Sequence, residues 1–316
     1  MKKIVLIMLV LTSLFAKNIK QPTLTYDADG SVIDLVYKDS KLYVATSASV
    51  VDVFDTENQK IVQRIEVPQI KDFMGDTIDA KIYSVDVLNS EILILSQANH
   101  GYREVSIFKD DKLHTVISKD DKMYIAKAKF IDENTVLLGL LSNDIISYDT
   151  KSKKQNWTIQ ASQSKFSNFV LSEDKKEVVI CDESGDLHIL DTKTGKNIKT
   201  LSGQNLDNVF QADYKNGIIA TAGQDRRTVI YNMKLGTSYY KTTHFLIYSV
   251  GLSPSGKLAG YASDENNNVT VFKTNTKSKI GVFGGNKMTL TNIVFINENE
   301  FFVSSDDKTI NFYKIR

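Results

Sequence analysis

One composite pattern recurs along the chain and constrains it more than any other feature. A continuous apolar run, a short polar corner and an alternating run stand together in "LYVATSASVVDVFDT" (42–56), "VLLGLLSNDIISYDT" (136–150), "VVICDESGDLHILDT" (178–192), "GIIATAGQDRRTVIYN" (217–232), "LAGYASDENNNVTVFKT" (258–274) and "FFVSSDDKTINFYKIR" (301–316). A run that is apolar at every position fits a strand buried on both faces, and an alternating run fits a half-buried neighbour. A further strand precedes each unit, giving seven in all: "VIDLVYK", "IYSVDVLN", "IAKAKFID", "FSNFVLSED", "NVFQADYKN", "IYSVGLSPSG" and "LTNIVFINEN". Between this strand and the next stand Asn89-Ser90, Asn216-Gly217 and Ser255-Gly256, pairs that suit tight hairpins because asparagine and glycine tolerate positive φ.

These leading strands begin near Val32, Ile82, Ile125, Phe166, Asn208, Ile247 and Leu290, in steps of 50, 43, 41, 42, 39 and 43 residues. A period of about 40 to 45 residues with four strands per unit predicts an all-β, seven-bladed β-propeller. A fourth strand follows in only six units, as "KIVQRIEV", "KLHTVIS", "KQNWTIQ", "KNIKTLSG", "TSYYKTTH" and "SKIGVFGG". The segment "PTLTY" (22–26) lies ahead of the first blade and is expected to complete the last one, joining both ends of the chain into a closed ring.

Composition agrees with a large core and short turns. The 316 residues are 42% hydrophobic and include only three prolines, which fits a single domain over 17–316 rather than linked pieces. Residues 1–16, "MKKIVLIMLVLTSLFA", carry two lysines, an apolar stretch too short to span a bilayer and a small-residue end at Ala16. They read as a secretory signal peptide, so the mature chain is expected to be a soluble periplasmic monomer. Without the two leader lysines, 37 basic against 38 acidic side chains leave a formal charge of −1, which does not point to nucleic acid or another polyanion. The lone Cys181 sits among apolar neighbours and reads as a buried core thiol.

Three stretches carry a family likeness. "AGQDRRTVIYN", "SSDDKTINFYK" and "VGLSPSGKLAG" resemble the WD40 repeat in their small residues, aspartate, basic residue, Thr-Ile/Val and aromatic, and in the Ser-Pro-x-Gly hairpin. The resemblance implies a structural hydrogen-bond network of histidine, serine or threonine, aspartate and tryptophan in each blade. Asp225 and Asp307 match its aspartate, Tyr231 and Tyr313 stand near its tryptophan position, and His244 is the one candidate for its histidine. Trp157 lies elsewhere. The chain as a whole, including "YDADGSVIDLVYKDSKLYVATSASVVDVFDTE", is similar to the NapL family of accessory proteins of periplasmic nitrate reductase. That likeness implies a role beside the nitrate reductase system, in assembly or electron delivery, with the reductase or its cytochromes as partner.

The residues themselves supply no chemistry for a catalyst or a cofactor. No G-x-S-x-G elbow surrounds a serine, and the aspartates recur at equivalent corners as scaffold residues do. His100, His114, His188 and His244 lack H-x-x-x-H spacing, no C-x-x-C-H haem motif exists, and "SDENNNV" (263–269) lacks the spacing of a Ca²⁺ loop. No metal or other cofactor is expected.

The first step of 50 marks one lengthened connection, "PQIKDFMGDTIDAK" (68–81), which should project beside the corner "QANHGYR" (97–103). Together they offer Phe73, Met74, His100, Tyr102 and Arg103 as a partner-binding surface; Phe73 and Met74 serve equally well, on sequence, as a plug for the channel mouth. The expectation is a non-enzymatic protein-interaction module. The alternatives are a scaffold for another envelope assembly and a propeller hydrolase or lactonase with a central Ca²⁺, the latter requiring several Asp, Asn or Glu side chains to converge on the channel.

Overall fold

The computed structural model describes residues 19–316, so the leader reading of 1–16 lies outside the described residues. Seven four-stranded antiparallel meanders are arranged radially, and their first strands line a central channel. These innermost strands are Val32–Lys38, Ile82–Leu88, Ile125–Phe130, Phe166–Leu171, Val209–Lys215, Val250–Leu252 and Leu290–Phe295. Six agree with the sequence reading within a residue. The sixth starts three residues later than expected and is short, and its backbone runs close against blade seven, where a Cβ on Gly251 would collide with the Ile293 carbonyl oxygen.

The ring closes as the strand count required. Leu24–Asp27 pairs antiparallel with Thr309–Lys314, Tyr26 opposite Ile310, and supplies the outer strand of blade seven. Tyr26 is buried between Phe54 of blade one and Phe302 of blade seven, edge-on to both at 5.5 and 5.8 Å. A second device was not visible in the sequence. Ile19–Lys20 adds a fifth, parallel strand to the outer edge of blade six, against Val282 and Phe283. The first nine described residues therefore cover the outer edges of two neighbouring blades, which leaves fewer unpaired backbone groups for another chain to join.

The burial of the strands corrects one reading. Second strands are buried throughout, as their apolar runs demanded; Leu93, Ile94 and Leu95 have no exposed surface. Third strands were expected to be half-buried, yet they too are enclosed, and the alternation appears one strand further out, in Lys60–Glu66 and Lys154–Gln160. The polar positions of the third strands, among them Asp52, Ser147, Thr228 and Asn311, face the neighbouring blade rather than solvent. Period-2 patterning reports which residues share a face, and a face made of small polar groups is still buried when it lies between two sheets. Turn chemistry follows the residues: Asn216 and Gly217 both take positive φ in their hairpin, as do Asp39-Ser40 and Asp110-Asp111.

The structural network of the WD40 resemblance is present with different residues. In blade five Thr221 donates to Asn205 Oδ1 (2.8 Å) while Asn205 Nδ2 donates to the Tyr231 hydroxyl (3.0 Å), and all three side chains are buried. In blade seven Asn286 Oδ1 accepts from Asn311 (2.8 Å) and lies 3.2 Å from the Tyr313 hydroxyl. Asparagine thus fills the histidine position and tyrosine the tryptophan position. His244 is exposed and stays outside the network, which corrects its assignment. Asp225 holds the corner, accepting from the N–H groups of Leu206 and Arg227. Trp157 braces a different seam, its indole donating to the Thr192 carbonyl (3.1 Å) with the ring against Gly195.

Two outcomes test this account of stability. Tyr26→Ala should lower unfolding free energy by about 3 to 5 kcal/mol in a denaturant titration, because it empties the joint that closes the ring. Asn205→Ala leaves two buried hydroxyls short of a partner and should cost about 1 to 3 kcal/mol, with a non-additive coupling to Thr221→Val in a double-mutant cycle.

Candidate functional site

The meander order sends two kinds of connection to one end of the ring: the links from each blade to the next, and the corners between second and third strands. On this face the lengthened connection forms its own small hairpin, Ile70–Lys71 against Thr77–Ile78. Asp72 Oδ1 accepts from the N–H groups of Met74 and Asp76, both at 2.9 Å, and fixes the tip. Phe73 is 95% exposed and Met74 73%, so neither fills the channel mouth.

The neighbouring corner is tied to this hairpin. Lys71 N–H donates to Asn99 Oδ1 (2.9 Å), which brings His100, exposed and at positive φ, beside the same loop. The Tyr102 ring lies 5.2 Å from Tyr124 of the next connection. Arg103 is placed differently from the other four. Its guanidinium stacks over Tyr83 at 4.1 Å and donates to the Gly101 and Tyr102 carbonyls, so it braces the loop from beneath.

Sequence reasoning missed how far this surface extends. Of the twelve exposed large hydrophobic residues among the described ones, eight belong to this end of the ring: Phe73, Met74, Ile78, Tyr124, Leu141, Leu206, Phe245 and Met288. They come from blades two, three, five, six and seven, so each copy of the repeat looks unremarkable and only closure of the ring assembles them. Leu235 is the one at the opposite end. Exposed apolar residues concentrated on one face mark a contact surface more often than scattered ones do.

The channel beneath this face holds a second constellation. Toward this face it widens into a cavity of 520 Å³ lined by Tyr83, Ser167, Asn168, Phe210 and Tyr248, and toward the opposite end into a cavity of 400 Å³ lined by Asp86, Lys129, Lys175 and Asp213. Asp34, Lys127, Gln211 and Asn292 are common to both and form the waist. Most of the channel's polar groups join one blade to another. Asp34 accepts from Val85 N–H and pairs with Lys129 at 3.0 Å, Asp86 accepts from Phe130 N–H, and Asp213 accepts from Leu252 N–H. Burial opposes the charge on Asp34, but the lysines beside it prevail and hold its carboxyl below the usual carboxylate range. Asn168 Nδ2 reaches the Phe210 carbonyl, Gln211 Nε2 the Thr291 carbonyl, and Asn292 Nδ2 the Ile33 carbonyl.

Lys127 stands apart in this ring. The residue is half-buried against the channel, and burial, followed by the nearby Lys129 cation, lowers its pKa to about 8. Its one hydrogen bond goes to Asn168 Oδ1 (2.6 Å). Cys181 lies behind it, fully buried, its thiol pushed up to about 12 by that burial. In blade four a buried Asp182 gathers Ser162, Ser184 and Asn143, and His188 Nε2 is 3.8 Å away. Both serine hydroxyls are directed at the carboxylate and not at the histidine, so the group has the arrangement of a corner lock rather than of a nucleophile and its base. Asp264 in "SDENNNV" likewise caps its own turn, accepting from Asn266 and Asn268.

No family model matches the chain, and no curated protein matches it either. Among solved structures it is similar to a chain of the mitotic checkpoint complex, with a TM-score of 0.77 over 99% of both chains at 14% identity. It is also similar to the β-propeller domain of Cps50 (Swd1) from Myceliophteria thermophila, with a TM-score of 0.75 over 93% of this chain and 99% of that one at 13% identity. At these identities the likeness establishes the fold, a seven-bladed, WD40-like β-propeller.

Proposed function

We propose that the protein is a non-enzymatic interaction module of the periplasm whose contact surface is the face bearing the blade-to-blade connections. The observation that carries this reading is the one-sided distribution of exposed apolar side chains, with Phe73 and Met74 held at the most prominent point by a hairpin whose tip they leave uncovered. A flat, rigid rim with a few projecting aromatic and sulfur-containing residues is the kind of surface on which hot spots occur. The solved relatives give the same reading general support, since one of them was determined within a multi-protein complex. The channel carboxylates speak against the Ca²⁺-dependent alternative: Asp34, Asp86 and Asp213 do not converge on a point but each grips a neighbouring blade.

The partner we propose is a periplasmic redox protein, the nitrate reductase or one of its cytochromes. The support is confined to the sequence reading, the leader-like start of the chain and the wording of its blades; no matching family model or curated protein stands behind it. Arg103 has a supporting place in this reading, beneath the loop that carries His100 and Tyr102.

Affinity capture of the tagged mature protein from periplasmic extract, with mass spectrometry of the retained proteins, tests the proposal. The paired substitution Phe73→Ala with Met74→Ala should weaken retention of the partner about tenfold or more, as loss of a hot spot does, while the circular dichroism spectrum is unchanged. Leu235→Ala, on the opposite face, should leave retention as it was. Equal retention by both variants would move the interface elsewhere, and recovery of an unrelated envelope complex would replace the nitrate reductase assignment.

A further inference from the structure

The waist of the channel contains a cation with donor capacity that the protein does not use. An ammonium has three N–H donors; Lys127 gives one to Asn168, lies 5.5 Å from the centre of the Phe169 ring, and forms no ion pair among the described residues. Lys129, two residues along the same strand, engages both Asp34 (3.0 Å) and the Val85 carbonyl (2.6 Å). The carboxylates nearest Lys127 are thus committed to other partners. A lysine enclosed in this way is costly to keep charged, and such groups in clefts mark functional sites more often than ordinary positions do.

Above Lys127 the channel widens into the 520 Å³ cavity, which opens on the contact face and falls in the size range of small-molecule sites. Its walls are mixed: Asp34, Asp306 and several amide and hydroxyl side chains line it, and its aromatic surface is Tyr83, Phe210 and Tyr248. Phe210 and Tyr248 lie stacked at 5.3 Å with an 11° interplanar angle, and the Tyr83 ring is steadied by Arg103 on one side. A positive group with free donors at the base and apolar ring surface at the rim together specify a ligand with one anionic end and one apolar end.

We propose that the upper channel binds a small organic carboxylate, its carboxylate on the Lys127 ammonium and its apolar body against Tyr83, Phe210 and Tyr248. Such a carboxylate has two sources, a free metabolite or an acidic side chain at the tip of an inserted segment, and the two separate by experiment. The site is independent of the loop interface at Phe73 and Met74.

Isothermal titration of the mature protein with benzoate, and separately with an end-capped Gly-Ser peptide carrying a central Phe-Glu pair, tests the assignment. The expected result is benzoate binding with a Kd at or below about 1 mM, weakened about tenfold or more in Lys127→Met and largely kept in Lys127→Arg. Binding should also fall about tenfold between pH 7 and pH 9, because a carboxylate prefers the protonated lysine and Lys127 loses its proton near pH 8. The groups facing Lys127 are Asp34 from blade one, Asp86 from blade two, Lys129 from its own strand and Cys181 from blade four. Asp34 is held low, while Lys129 and Cys181 are held high, which leaves Lys127 to carry that dependence.

Binding of the peptide alone would keep the site and assign the carboxylate to a partner segment. Failure of both probes, or benzoate binding that is indifferent to Lys127→Met, would overturn the proposal. The Lys127→Met variant loses a desolvated cation and should melt no lower than the parent protein; if it does, Lys127→Gln takes its place in the same titrations.

Discussion

Everything in this structure depends on a strand made at the beginning of the chain pairing with one made at its end. A propeller blade lacks a complete core by itself, since each sheet buries both faces against its neighbours, and the stack holds only when the circle has no gap. Here the join is backbone hydrogen bonding between Leu24–Asp27 and Thr309–Lys314, fixed by the burial of Tyr26 between aromatic rings of the first and last blades. Ile19–Lys20 extends the join onto blade six. With no internal disulfide available to the single cysteine, closure rests entirely on these strands and on the packing around them.

Closure also explains how function can reside in residues that look ordinary one blade at a time. Leu206 and Met288 each stand alone in a polar connection, Tyr124 and Phe245 stand at the edge of a strand's own apolar run, and only the circular arrangement places them on one rim with Phe73. The channel follows the same logic. Lys127 comes from blade three, Asn168 from blade four, Phe210 from blade five and Tyr83 from blade two, so no local motif contains the site.

Much of the fold was legible because its signals are local: the spacing of the leading strands, the positive-φ hairpin residues and the missing seventh outer strand each survive in a one-dimensional reading. Two features escaped for definable reasons. Ile19–Lys20 is two residues long and pairs in parallel, too short for any periodicity. The blade-five lock was sought through a histidine and is built on Asn205, although asparagine stands four residues ahead of the inner strand in both blades five and seven, and this shared offset was a usable signal. Lys127 and Lys129 in "IAKAKF" gave no signal of their own, because alternation cannot distinguish a face turned to bulk water from one turned to a narrow channel.

The hydrogen bonds that join the inner strands differ in kind around the circle. Across blades one, two and three the seam is ionic, with Asp34 gripping both Val85 and Lys129 and Asp86 gripping Phe130. Across blades five, six and seven a carboxylate, Asp213 to Leu252, stands beside neutral amides, Gln211 to Val250 and Thr291, and Asn292 onward to Ile33. The Asp34 carboxyl is held below its ordinary range, so its contribution is complete at neutral pH and disappears as pH falls through that lowered value. Acid therefore loosens the ring first where Asp34 holds blade one to blades two and three. Amide exchange of the inner strands under acidification reads that loosening at Val85, the N–H that Asp34 holds.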